Sequence, residues 1–153
     1  MSAKTKPLST LESHLGYWLR YVSNNVSHAF SRKVQERGVT VAEWVVMREL
    51  YDNDAMPSVL AERLGMTRGA ISKLADRLAA KGLIVRKTSI EDRRFQSMAL
   101  TTEGHAIVPA LAALADENDN EFFGHIDRAT REAIEVAMKE IVRRQGLRTV
   151  PVD

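Results

Sequence analysis

Glycines punctuate this chain at intervals that leave room for helices and little else. Gly38, Gly65, Gly82 and Gly124 each close a helix-patterned stretch, and most of these stretches open on a start signal of their own. Ser9 and Glu12 have capping-box spacing and predict a first helix over 9–37. Thr40 and Glu43 repeat the pattern ahead of a helix to Tyr51. Its residues Val41, Trp44, Val45, Val46, Met47 and Leu50 are apolar on almost every face, so it is expected at the centre of the molecule. Pro57 suits the first turn of a short helix over 57–64, and Thr67 suits the cap of a helix over 67–81. After Gly82 the pattern changes. Leu83–Ser89 and Phe95–Thr101 read as the strands of a hairpin around the charged turn 90–94. Thr102 is expected to cap a helix to Phe123, kinked at Pro109, and Asp127 a last helix over 127–144. The tail 146–153, with Pro151, is expected to be loose.

Helix, glycine turn, helix and hairpin in that order are the layout of a winged helix-turn-helix. The predicted fold class is mainly α, with a two-stranded β wing and N- and C-terminal dimerisation helices. The 153 residues fit a single domain. Within it, 40–101 form the DNA-binding lobe, and 9–37 and 102–145 the dimerisation helices.

Composition removes several classes of function. With no cysteine, disulfides, thiol redox sensing and cysteine-ligated metals are excluded. None of the four histidines has the four-residue spacing of a helical metal site, so neither metal nor cofactor is expected. No Gly-rich phosphate loop, His-Glu-x-x-His or Gly-x-Ser-x-Gly occurs, and no enzyme activity is expected. The longest apolar run, 106–115, is far below the ~20 residues of a membrane span. No secretion signal is evident at the N-terminus, and the expected location is cytoplasmic without membrane contact.

The 67–81 helix has two faces. Ile71, Leu74, Ala75 and Leu78 recur at core spacing, while Arg68, Ser72, Lys73, Asp76 and Arg77 lie opposite, where they can meet base edges and phosphates. The formal charge of +2 hides a strong asymmetry. Residues 67–94 carry a net +5 and residues 102–138 a net −6, which gives the molecule one DNA-facing side.

Asp92-Arg93-Arg94, followed by Leu100-Thr101-x-x-Gly104, resembles the wing signature of the multiple-antibiotic-resistance regulator (MarR) family. Leu78-x-x-Lys81-Gly82-Leu83-Ile84-x-Arg86 is similar to that family's junction between recognition helix and wing. The resemblance covers about 10–145, with one departure. Gly69-Ala70 stands where the family often has Thr or Ser, so a hydroxyl contact at position 70 is missing. The resemblance implies a dimeric transcription regulator, usually a repressor, on a pseudo-palindromic double-stranded DNA operator. Thr67, Arg68, Gly69, Ser72, Lys73, Asp76, Arg77 and Arg86 would bind DNA, the recognition helix entering the major groove. Arg93 or Arg94 would enter the minor groove, with Asp92 orienting a wing arginine.

A homodimer is also expected from the run 106–115, which is apolar on every face, and from the stripe Leu11, Leu15, Trp18, Leu19, Val22 and Val26. Beside that stripe, His14, Tyr17, Tyr21, Asn25 and His28 share a face bordered by Trp18. With Arg20, Trp44 and Arg48 they are candidates for binding a small aromatic or phenolic effector, and the family resemblance points the same way. Ordinary packing at a seam is the competing reading of the stripe. An architectural or protein-docking winged-helix protein without effector response is the competing reading of the whole.

Overall fold

The computed structural model describes residues 6–88 and 96–152. A short 3₁₀ turn, Leu11–Ser13, precedes α1 (Leu15–Gln35). There follow α2 (Val41–Asp52), α3 (Pro57–Leu64), α4 (Arg68–Ala80), β1 (Ile84–Thr88), β2 (Gln96–Leu100), α5 (Thr102–Phe123) and α6 (Arg128–Gln145). Among the described residues no helix is long and apolar enough to cross a membrane.

The local signals acted largely where they stand. Thr40 Oγ1 accepts from the Glu43 N–H at 3.1 Å, and Glu43 Oε2 accepts from the Thr40 N–H at 3.1 Å, closing the box that starts α2. Val46, Met47 and Leu50 of α2 are buried, and this helix packs on α1, α4, α5 and β2. Thr67 Oγ1 caps α4 through the Ala70 N–H at 3.0 Å. Ile71, Leu74, Ala75 and Leu78 of α4 all enter the core. β1 and β2 pair antiparallel from Ile84↔Leu100 to Thr88↔Gln96. Ala55 adds a bridge to Met98 with both backbone bonds made, so the loop before α3 is stitched to the outside of β2.

Sequence expectations change at three places: the start of the first helix, the cap of α5 and the tail. The first helix starts at Leu15 rather than at residue 9, with His14 as a cap that makes no side-chain bond to the helix. Ser13 Oγ donates to the Thr10 carbonyl at 2.7 Å and Trp18 Nε1 to that of Glu12 at 2.8 Å, so these carbonyls are engaged outside a helical ladder. Thr101, not Thr102, caps α5, which reaches Phe123 as expected with Pro109 inside it. Within the apolar run 106–115, Val108 and Leu111 lie in the core.

The tail is docked rather than loose. The Val150 N–H donates to the Leu64 carbonyl at 3.0 Å, and Thr149 Oγ1 donates to Gly65 O at 3.2 Å. Val150 packs against the core. Gly65, at φ +62°, is needed twice over: a Cβ there would sit 2.5 Å from the Arg148 carbonyl oxygen. Truncation after Gly146 is expected to cost about 1–2 kcal/mol, the value of a partly buried valine with its bonds. Chemical unfolding checks this, and an unchanged midpoint would mean that the tail contributes nothing.

Candidate nucleic-acid interface

Burying one side of α4 forces its other side outward. Thr67, Arg68, Gly69, Ser72, Lys73, Asp76 and Arg77 are all exposed, opposite Ile71, Leu74, Ala75 and Leu78. Among the described residues Arg68, Lys73 and Arg77 have no carboxylate partner, whereas Asp76 is paired with Arg86. Arg86, projecting from β1, reaches Asp76 Oδ1 at 2.8 Å and the Ser72 carbonyl at 3.4 Å. Three of the residues expected at the groove thus bond one another and hold the hairpin against α4. A Cβ at Gly69 would meet only Thr67 Oγ1, at 3.9 Å, so packing does not demand this glycine. Asp92, Arg93 and Arg94 lie outside the described residues.

The junction behind the hairpin is tight. Thr101 Oγ1 donates to the Gly82 carbonyl at 2.7 Å and accepts from the Gly104 N–H at 3.0 Å. The Thr101 N–H donates to the Leu83 carbonyl at 3.0 Å. A Cβ on Gly104 would stand 2.2 Å from that same Leu83 oxygen. The Leu-Thr-x-x-Gly spacing is therefore a hinge clasp: threonine ties α5 to the end of α4, and glycine lets the two backbones meet.

Among the described residues the effector candidates have several different surroundings. Tyr17 stacks edge-on against Trp18 at 5.2 Å and lies 6.2 Å from Tyr21. His14 caps α1 in the open, and its Nδ1 lies 3.3 Å from the Leu11 carbonyl. Trp44 packs against the core. Arg48 bonds Asp52 at 2.9 Å and lies 5.8 Å from the centre of the Tyr51 ring, which faces His105 at 5.6 Å. Tyr51 and His105 sit 54 positions apart and carry no pattern that sequence reading could have joined.

A groove of about 650 Å³ does exist, between α1 and α6. Its walls include Leu15, Trp18, Leu19 and Val22 from one helix and Ile134 and Met138 from the other. Of the effector candidates only Trp18 lines it. Asp119 and Arg131 pair at its rim, which holds the Arg131 guanidinium above its ordinary pKa. Asp127 caps α6, and bonds from the Thr130 hydroxyl and N–H pull its carboxyl below the usual carboxylate range. No residue of α6 is buried, although Ile134, Val136, Met138, Ile141 and Val142 are apolar and exposed.

An exposed polar helix, a helix ahead of it across a glycine turn, and a hairpin behind it define a winged helix-turn-helix. Residues 37–94 match the sequence profile of the MarR family. The HTH-type transcriptional regulator PrsX of Escherichia coli is 27% identical over 108 residues, 69% of this chain and 65% of PrsX. Matching relatives from Bacillus subtilis include two named as transcriptional repressors. The structure of S. aureus MepR in complex with DNA superposes with a TM-score of 0.78 at 21% identity, over 86% of this chain and 98% of MepR. Bordetella bronchiseptica BpsR, whose DNA binding is regulated by 6-hydroxynicotinic acid, superposes with a TM-score of 0.76 at 21% identity, over 88% and 97%. Over residues 37–94 the chain thus matches the MarR family, and the relatives it resembles along more of its length are named as transcriptional regulators.

Proposed function

We propose that this protein is a sequence-specific regulator, acting as a repressor, that binds a pseudo-palindromic double-stranded DNA operator as a homodimer. The observation that carries the reading is α4: its apolar side is sealed in the core and its Arg, Lys, Ser and Thr side chains all face solvent. A helix so mounted presents donors at a spacing suited to the major groove. Arg93 or Arg94, between β1 and β2 in the sequence, would reach the adjacent minor groove, with Asp92 orienting a wing arginine.

The second copy is supported by α6, an apolar-striped helix none of whose residues is buried. The groove between α1 and α6 fits a helix from a second copy, and a two-fold dimer presents two α4 helices to successive turns of DNA. A small aromatic or phenolic effector would shift this dimer toward a spacing unsuited to DNA. BpsR, regulated by a hydroxylated aromatic acid, is similar in fold and supports that class of effector.

The test is salt-dependent binding. Lys73→Ala and Arg77→Ala are each expected to reduce the slope of log affinity against log salt by ~0.9 if the side chain meets a phosphate. If it meets a base edge, selectivity falls by ~10-fold instead. Variants that bind as the wild type does in both respects would remove α4 from the interface.

A further inference from the structure

Glu43 is the one charged side chain found buried among the described residues, with 1% of its surface exposed. A capping box does not require this, since its two bonds form equally well in water. Burying a carboxylate is costly unless the charge is met, and here Lys81 Nζ meets Glu43 Oε2 at 2.7 Å. The same ammonium donates to the Gly38 carbonyl at 2.8 Å. Lys81 is the C-cap that follows α4 before the glycine turn, its N–H bonding the Arg77 carbonyl. Gly38 ends the turn that follows α1, and Glu43 opens α2. One side chain thus pins the end of α4 to the end of α1 and to the start of α2.

We propose that Glu43 and Lys81 form a positioning clamp that sets the angle of α4 against α1, and through it the match between protein and operator. The proposal rests on the DNA-binding reading above. It assigns no DNA contact to either residue. Two of the three ammonium donors of Lys81 are already committed inside the protein, although the residue belongs to the basic stretch 67–94. The other end of α1 lines the groove assigned to the second copy, so α1 joins that surface to the clamp. A small rotation of α4 about its C-terminal end would carry Arg68 and Lys73, at the far end, off their contacts.

The clamp makes a prediction opposite in sign to simple electrostatics. Removing an acidic residue from a DNA-binding lobe ordinarily strengthens binding. Glu43→Gln, which keeps shape and can still cap α2, is instead expected to weaken binding to a selected duplex. The probe is the duplex that the wild-type protein enriches from a randomised pool, compared with random duplex of equal length. Glu43→Gln and Lys81→Met should each lose ~10-fold or more on the enriched duplex, the value of one base contact, with random-duplex affinity not reduced. The salt slope of Lys81→Met should match the wild type, and Lys81→Arg should restore selectivity. The clamp is overturned if Glu43→Gln binds the enriched duplex as tightly as the wild type. It is also overturned if Lys81→Met weakens both duplexes equally with a slope lower by ~0.9, the mark of a phosphate contact. If Glu43→Gln does not fold, as read by circular dichroism, the Lys81 pair decides alone. A wild-type protein that enriches no duplex overturns the functional reading and the clamp with it.

Discussion

Leu19→Glu is expected to convert the protein from dimer to monomer and to remove selective DNA binding. Leu19 lies on the α1 wall of the groove, 45% exposed, in a line with Leu15, Trp18 and Val22. If a second copy covers this wall, the substitution buries an unpaired carboxylate at the interface, at a cost of several kcal/mol. The loss at DNA is larger than at the interface alone. A monomer holds one half-site, and without its tethered twin it forgoes an avidity gain of ~10²–10⁴. Met138→Glu, on the α6 wall, should do the same from the other side. Sedimentation equilibrium reads the result directly. A wild-type monomer, or variants that sediment as the wild type does, would remove the second copy from the account. The central apolar run gives a different outcome. Leu111 is fully buried within its own subunit, so Leu111→Glu should unfold the chain instead of parting two copies.

Gly104→Ala is expected to be among the most destabilising single-methyl additions in the molecule. The new carbon would lie 2.2 Å from the Leu83 carbonyl oxygen, a backbone atom that cannot swing aside. Leu83 is held in turn by the Thr101 N–H and, at its own N–H, by the Leu78 carbonyl. Relief therefore means moving the end of α4 and the start of β1 away from α5. Overpacking of this kind costs about 3 kcal/mol, or ~6–12 °C in the melting temperature of a chain this size. Gly69→Ala is the matched control: its site is open, and alanine favours the helix by ~1 kcal/mol. Equal melting temperatures for Gly104→Ala and the wild type would dismiss the clasp.

What could be read from sequence follows how local each cause is. Caps, glycine stops and the two faces of α4 depend on neighbours within one or two turns, and α2, α3, α4 and the hairpin stand within a residue or two of where the pattern puts them. The failures have causes outside the pattern itself. Ser9 and Thr40 share a capping motif, but only Thr40 begins a helix: Ser13 Oγ and Trp18 Nε1 engage the Thr10 and Glu12 carbonyls outside a helical ladder. The tail looked loose because nothing in its own sequence reveals the Gly65 turn it fills. The aromatic stripe on α1 was legible as a stripe. Its destination was not: Trp18 faces α6, while Trp44 and Arg48 belong to other surroundings. The charge asymmetry was legible as a sum, but the Asp76–Arg86 pair inside it needed the fold.

The account stands or falls on whether two copies of α4 read a sequence. Equilibrium competition at one fixed salt concentration, between the duplex enriched by the protein from a randomised pool and random duplex of the same length, measures this directly. The account predicts a preference of ~10³ or more. Equal affinity for the two duplexes would contradict it.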